Sequence, residues 1–505
     1  MNVDSIPILI ALFPFLVFIF LLFIKKTPLL TTSIITLVLY TILAIFYWKI
    51  MPLFLYTSYG KGFFVAVDIF IIIFGAVFFL EILKELKIIK NISHYLGNLS
   101  KDYRVQIIII AWFFECFIEG TAGFGTPVAI AVPILIGLGL SPIKSLVVGL
   151  LGNSTPGVFG AAGTPIKMGF VGLNTSLVPL YSALFNIIGF IVPIFMLWII
   201  TEGRANRKKE FFEALPFALF SGLIFVISSL LFVFLGPEFP SIFGSILGLI
   251  VIIISVKLGF LTPKEELSLV DKKEEEFSSM SPFRAFLPYI ILVILLVLGK
   301  IVFGKIGLSL PPSLGVKHTF SLFNPGFVFI LSGLFVVLIW KEKFTMIIAS
   351  IKKAFGSGIH PFFVVFSMLA MVQIMINSGN NYSGIISAIS LMTKSFETSL
   401  LPLFAPFIGA FGAFMTGSVT VSNIMFGHLF NIASQNLYMN SSIILSLGVV
   451  GAAAGNMLAL ADILTAEAVT GIKNSEVKIL KGVIIPCLVY LLLVGLIGII
   501  IIKMI

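Results

Sequence analysis

Between Glu119 and Pro127 the sequence runs Glu-Gly-Thr-Ala-Gly-Phe-Gly-Thr-Pro, with three glycines, two threonines, a carboxyl and a proline in nine positions. Glycine lets backbone approach a bound group closely and adopt turns closed to other residues. The N–H groups around Gly120, Gly123 and Gly125 are therefore candidate donors to an anion, with the hydroxyls of Thr121 and Thr126 beside them. Phe124 offers an apolar wall, and Glu119 a group that can take up and release a proton. A second cluster holds Asn153, Ser154 and Thr155 and closes on Gly163, Thr164 and Pro165. A third reads Thr416-Gly417-Ser418-Val419-Thr420-Val421-Ser422-Asn423. Gly417 adds an N–H there, and Thr416, Ser418, Thr420, Ser422 and Asn423 add hydroxyls and an amide. The joint chemistry is capture of a small anion by backbone and neutral side chains, with a proton exchanged at Glu119.

The elements that position these groups lie in an apolar chain. Of 505 residues 59% are hydrophobic and only 11% charged, and the mean hydropathy is +1.17. A soluble chain carries roughly a quarter charged residues, so most of this one belongs in lipid. Runs long enough to span occupy 6–24, 29–50, 63–83, 178–200, 211–235, 239–258, 285–303, 325–340, 359–377 and 482–502. Helix is expected throughout, because lipid offers no partner to open backbone groups. The run 6–24 lacks a basic leader and a small-residue cleavage site, and reads as a retained first helix. Cys116 and Cys487 sit in apolar runs and imply neither disulfide nor metal, and His94, His318, His360 and His428 lack ligand spacing.

The net charge of +10 does not form a basic face, which argues against nucleic acid. Instead Lys and Arg cluster between apolar runs, as they do on cytoplasmic loops: Lys25–Lys26, Lys84 to Arg104, Arg204 to Lys209, Lys257 to Arg284, Lys341 to Lys353, and Lys473 to Lys481. Lys300, Lys305 and Lys317 are exceptions. Counting spans between clusters puts both termini outside a multi-pass cell-membrane protein. The count closes only if 105–140 enters from the cytoplasm and returns there, and 398–437 does the same from outside.

Two hairpins of opposite polarity follow, each succeeded by a broken crossing, about 143–166 and 442–465. The halves align, Glu119-Gly120-Thr121 with Thr416-Gly417-Ser418 and Thr126 with Asn423. The expected fold is all-α and polytopic, with two inverted-topology repeats (1–258 and 285–505), each with a re-entrant hairpin, joined by a charged cytoplasmic linker, 259–284. Inverted-repeat carriers bind substrate near the midplane between broken helices, whose freed N–H groups hold anions without a cationic side chain. Small residues also serve close helix packing, but packing alone does not account for Glu119 to Pro127.

At these residues the sequence resembles the lactate permease family. Glu119 to Pro127 is similar to the family's E-G-A-A-G-F-G-x-P, and Asn153-Ser-Thr-Pro-Gly-Val-Phe-Gly-Ala-Ala-Gly-Thr-Pro165 to its N-T-A-P-V-A-F-G-A-x-G-x-P. Thr416 to Asn423 resembles T-G-S-D-T-S-S-N, with Val419 where the family has Asp. The family's G-K-M-I-S-P-Q becomes Gly455-Asn456-Met457-Leu458-Ala459-Leu460-Ala461, so Asn456 replaces a Lys. The resemblance implies proton-coupled uptake of lactate or glycolate without any cofactor.

An anion entering a negative interior climbs about 2.3 kcal/mol per charge per 100 mV, which a co-transported proton removes. Glu119 is the first candidate to carry it, since desolvation at a hairpin tip favours the neutral acid; a structural lock is the alternative. Glu115, one turn earlier, and Asp462, beyond Asn456, are further candidates. Asn456 could meet a substrate hydroxyl. Glu81 is expected to pair with Lys84, Asp68 to be hydrated near the outer end of its helix, and Lys167 to be an exposed helix-end lysine. Sodium coupling to another organic anion, or a passive channel, would use similar hairpins; a membrane enzyme would need a catalytic constellation, and none is found. A homo-oligomer is compatible with the sequence, which specifies none.

Overall fold

The computed structural model describes residues 5–25, 27–123, 125–269, 280–311, 315–394, 397–459, 461–463, 467 and 475–504. Phe124 and the charged run 270–279 lie outside the described residues. Helices dominate, and ten of them are long and apolar enough to cross a membrane among the described residues. Each expected span falls on a helix.

Two runs are longer than expected. The helices Pro52–Glu85 and Phe344–Asn377 have 34 residues each, about 51 Å at 1.5 Å per residue. Hydrocarbon is only about 30 Å thick, so each helix continues into polar surroundings, where Lys61, Lys352 and Lys353 interrupt the hydropathy that marked the core of the run.

The chain packs as two compact units, each drawn from both halves of the sequence. The first comprises Met1–Leu86, Leu287–Leu401 and Ile424–Ser441. Its two 34-residue helices lie against each other, with Phe63 and Phe70 of one meeting Phe355, Phe362 and Phe366 of the other. Gly62 leaves no room for a Cβ, which would stand 2.7 Å from the backbone N of Ala370. Glu81 pairs with Lys84 at 3.0 Å, as the spacing predicts, and with Lys353 at 3.1 Å. Asp68 is not hydrated: it is 6% exposed and its Oδ2 lies 3.0 Å from His318 Nε2. The strand Thr319–Ser321, antiparallel to Gly307–Ser309, begins directly after His318 and brings it there.

The second unit comprises Lys87–Phe286, Pro402–Asn423 and Ser442–Ile505. At its foot Asp102 caps the helix Tyr103–Ile108 by accepting from the N–H groups of Arg104 and Val105. Arg104, fully buried, donates to both Asp102 oxygens, to Glu213 and to the carbonyls of Glu210 and Glu265. The Tyr103 N–H donates to Leu267 O at 2.8 Å, and the Leu267 N–H to Asp102 at 3.1 Å. The start of the expected linker is thus clipped to the foot of the helix that leads to Glu119.

Candidate functional site

Three breaks in the second unit come together. The first helix runs from 103 to 121, with a π-helical stretch Ile109–Phe114 before Glu115–Thr121. Such stretches are rare and occur often at functional sites. It ends at Ala122, and Gly123 (φ +58°) and Gly125 (φ +76°) take the left-handed backbone that glycine adopts without strain. Thr126–Gly137 resumes with Pro127 in its first turn. The Thr121 hydroxyl donates to Phe117 O and Ile118 O, and that of Thr126 to Gly123 O at 2.6 Å. Gly120 packs where a Cβ would lie 2.9 Å from Ile242 N.

The second break separates Pro142–Gly152 from Lys167. After the 3-10 turn Thr155–Phe159, Ala161 (φ 41°), Ala162 (φ 51°) and Gly163 (φ 77°) are consecutively left-handed. For alanine that conformation costs about 1 kcal/mol or more, and such strain collects at ligand clamps and switches. Segment 237–242 braces it. A Cβ on Gly163 would meet Pro237 C at 2.5 Å, the Ser241 hydroxyl donates to Pro156 O at 2.8 Å, and Lys167 Nζ lies 2.8 Å from Glu238 Oε1. Lys167 is thus not an exposed helix-end lysine, because Glu238 is fully buried beneath it. Ser154 and Thr164 donate to Leu151 O and Ala161 O, and Asn186 donates to Thr155 O.

The third break falls at Gly417 (φ +68°), between Leu401–Thr416 and Val419–Asn436. Ser418 accepts from the Val421 N–H at 3.3 Å, capping the second helix. Thr416 donates to Gly412 O and Ser422 to Gly409 O. Asn423 donates to Pro165 O at 2.9 Å, tying this break to the second one. The helix Ser441–Gly455 ends at the 3-10 turn Asn456–Leu458.

A small cavity lies where these breaks meet. Of the residues expected to bind substrate, Gly123, Gly417, Ser418, Thr420 and Asn456 line it, together with Glu119. Gly160, Ala161, Pro165 and Val419 line it too. None of those four was among the expected substrate contacts, although all stand inside the aligned motifs. Gly120, Thr121, Gly125, Thr126, Asn153, Ser154, Thr155, Gly163, Thr164, Thr416, Ser422 and Asn423 support the breaks without lining the cavity.

Three carboxyls gather here, each at least 95% buried and each within reach of the others' charge. Glu119 Oε1 packs against Gly160 and Gly123, and Oε2 has no hydrogen-bond partner among the described residues. Neither oxygen of Glu115 has one, and that side chain presses on Gly149 and Gly152. Asp462 sits beside Gly125 and accepts from Asn153 Nδ2 at 3.4 Å. Among the described residues no group of His, Cys, Asp and Glu is arranged to hold a metal ion.

The L-lactate permease family profile matches residues 7–306 and 305–505. A Haemophilus influenzae protein is 29% identical over 83% of this chain and 84% of its own length. The L-lactate permease of Streptococcus iniae is 29% identical over 69% of this chain and 74% of its own. The glycolate permease of Escherichia coli (strain K12) is 25% identical over 97% of this chain and 94% of its own. With the motifs and the profile agreeing from end to end, this chain belongs to the L-lactate permease family of multi-pass membrane proteins.

Proposed function

We propose that the protein is a secondary active transporter in the cell membrane that carries small 2-hydroxy monocarboxylates, lactate or glycolate, by proton symport. One observation carries the reading. Glu119, nearly fully buried and with an oxygen that has no hydrogen-bond partner among the described residues, faces a small cavity built from the breaks of both sequence halves. A substrate carboxylate in that cavity would lie within a few ångströms of the Glu119 carboxylate. Two negative charges about 4 Å apart repel by about 4 kcal/mol at an effective dielectric of 20. A proton on Glu119 removes the repulsion and supplies a hydrogen bond to the substrate, so each favours binding of the other. Asp462 and Glu115 stand behind it as further acidic groups that can share the proton. The breaks at 122–125 and 417 act as the turns of two re-entrant hairpins of opposite polarity, in repeats related by inverted topology.

The purified protein in liposomes tests this. Labelled L-lactate should exchange in counterflow and accumulate when the outside is made acidic, with uptake falling as outside pH rises. Glu119→Gln should keep counterflow within about tenfold and lose acid-driven accumulation. If the Gln variant still concentrates lactate on a pH gradient, Glu119 does not couple the proton. Accumulation by the unaltered protein that follows sodium and ignores pH would overturn proton symport.

A further inference from the structure

We propose that Asn456 reads the hydroxyl at carbon 2 of the substrate, and so sets selectivity against acids lacking a hydroxyl donor there; the assignment rests on the transport reading above. Asn456 is 5% exposed and lines the cavity, yet its Oδ1 has no hydrogen-bond partner among the described residues. A buried amide oxygen in that condition lacks about 1–3 kcal/mol that a donor would return, or roughly tenfold to a hundredfold in binding. Whichever way the amide is turned, it offers one carbonyl oxygen and one NH2. The atom without a partner is the acceptor Oδ1, so the group that satisfies it must donate, as a hydroxyl does.

The backbone that carries this side chain is closely packed. Gly451 and Gly455, on the helix that ends at Asn456, lie against the backbone of Pro406 and Ala410 with no room for a Cβ, and Gly409 does the same against Gly448. Glu119 lines the same cavity, and its Oε2 has no hydrogen-bond partner among the described residues. The two together match a carboxylate with a hydroxyl on the neighbouring carbon, the carboxylate meeting protonated Glu119 and the hydroxyl meeting Asn456. A 2-oxo acid can only accept, and would set its carbonyl against Oδ1. An unsubstituted acid can do neither. Val419 and Ala161, apolar residues of the same lining, suit the methyl end of a three-carbon acid.

The test is competition against labelled L-lactate counterflow in proteoliposomes, using unlabelled L-lactate, propionate and pyruvate. For the unaltered protein, lactate should compete at a concentration at least tenfold lower than propionate or pyruvate. Asn456→Leu, similar in shape but without polar atoms, should weaken lactate by tenfold or more. It should leave propionate within about twofold, so that the preference collapses toward one. Equal competition by lactate and propionate in the unaltered protein overturns the assignment without any variant, as does a preference that survives Asn456→Leu. If the unaltered protein exchanges none of the three acids, the transport reading fails first and takes this inference with it.

Discussion

Asn423 and Asn456 carry the same amide in the same unit, yet replacement should affect them differently. Asn423 is already engaged, donating to Pro165 O at 2.9 Å. Asn423→Ala would strand a buried carbonyl and cost about 1–3 kcal/mol of stability. We expect a lower unfolding midpoint in detergent, with the half-saturation for L-lactate counterflow within about twofold. A tenfold loss of affinity at unchanged stability would mean that Asn423 touches substrate. The same distinction explains what could be read at this scale. Thr121, Thr126, Ser154, Thr164, Thr416 and Ser422 have the right chemistry for an anion, but each donates to a backbone carbonyl, five of them in their own turn and Ser422 to Gly409 O on the preceding helix. Residue type announces a polar group; only the fold decides whether a nearer acceptor has claimed it. Glu119 was legible because nothing near it in sequence competes for a carboxyl in an apolar run. Ala161 was not, because alanine gives no sign of a left-handed backbone.

The breaks themselves were visible as elements, since so dense a run of glycine, proline and hydroxyl residues as Glu119 to Pro127 does not continue as one helix. What braces them was not. Segment 237–242 is remote in sequence from the turns it supports; Pro237 and Glu238 fall between two expected spans and Ser241 inside the second, and nothing in the sequence marks them as a brace. Two glycines measure that brace. Gly163 and Gly203 share φ +77°, but nothing lies within 4 Å of a Cβ built on Gly203, whereas one on Gly163 would strike Pro237. Gly203→Ala should therefore incur only the left-handed backbone cost, about 1 kcal/mol. Gly163→Ala should add an overpacking cost of about 1–3 kcal/mol and push the left-handed turn toward Glu119. Thermal unfolding of the two variants in detergent compares them directly. Equal destabilisation would show that the 237–242 segment yields freely and does not fix the break.

For the molecule as a whole, the decisive quantity is the parity of crossings. Basic residues at Arg104 and Lys144 flank the pair of helices 103–121 and 126–137, and the positive-inside rule assigns both flanks to the cytoplasm. If that pair crossed once, every later cluster would change sides, and Arg204 to Lys209 and Lys341 to Lys353 would face outward. By the same reasoning 401–416 and 419–436 are expected to return to the outer side, so that Lys473 to Lys481 again lie inside one crossing later. If both hairpins are re-entrant as proposed, the helix Glu476–Met504 should run outward and the two termini should share the outer face. Cys116 and Cys487 are buried, so replacing them with Ala leaves a background for single cysteines at Asn2 and Ile505. A membrane-impermeant maleimide applied to intact cells should label both positions, and should label a cysteine at Lys208 only after the cells are opened. Labelling of one terminus alone would mean that one hairpin crosses, which would leave the two breaks without the opposite polarity that an inverted pair requires. The cavity would then open by some route other than exchange between two inverted halves, and the symport reading would lose its structural basis even if Glu119 still bound a proton.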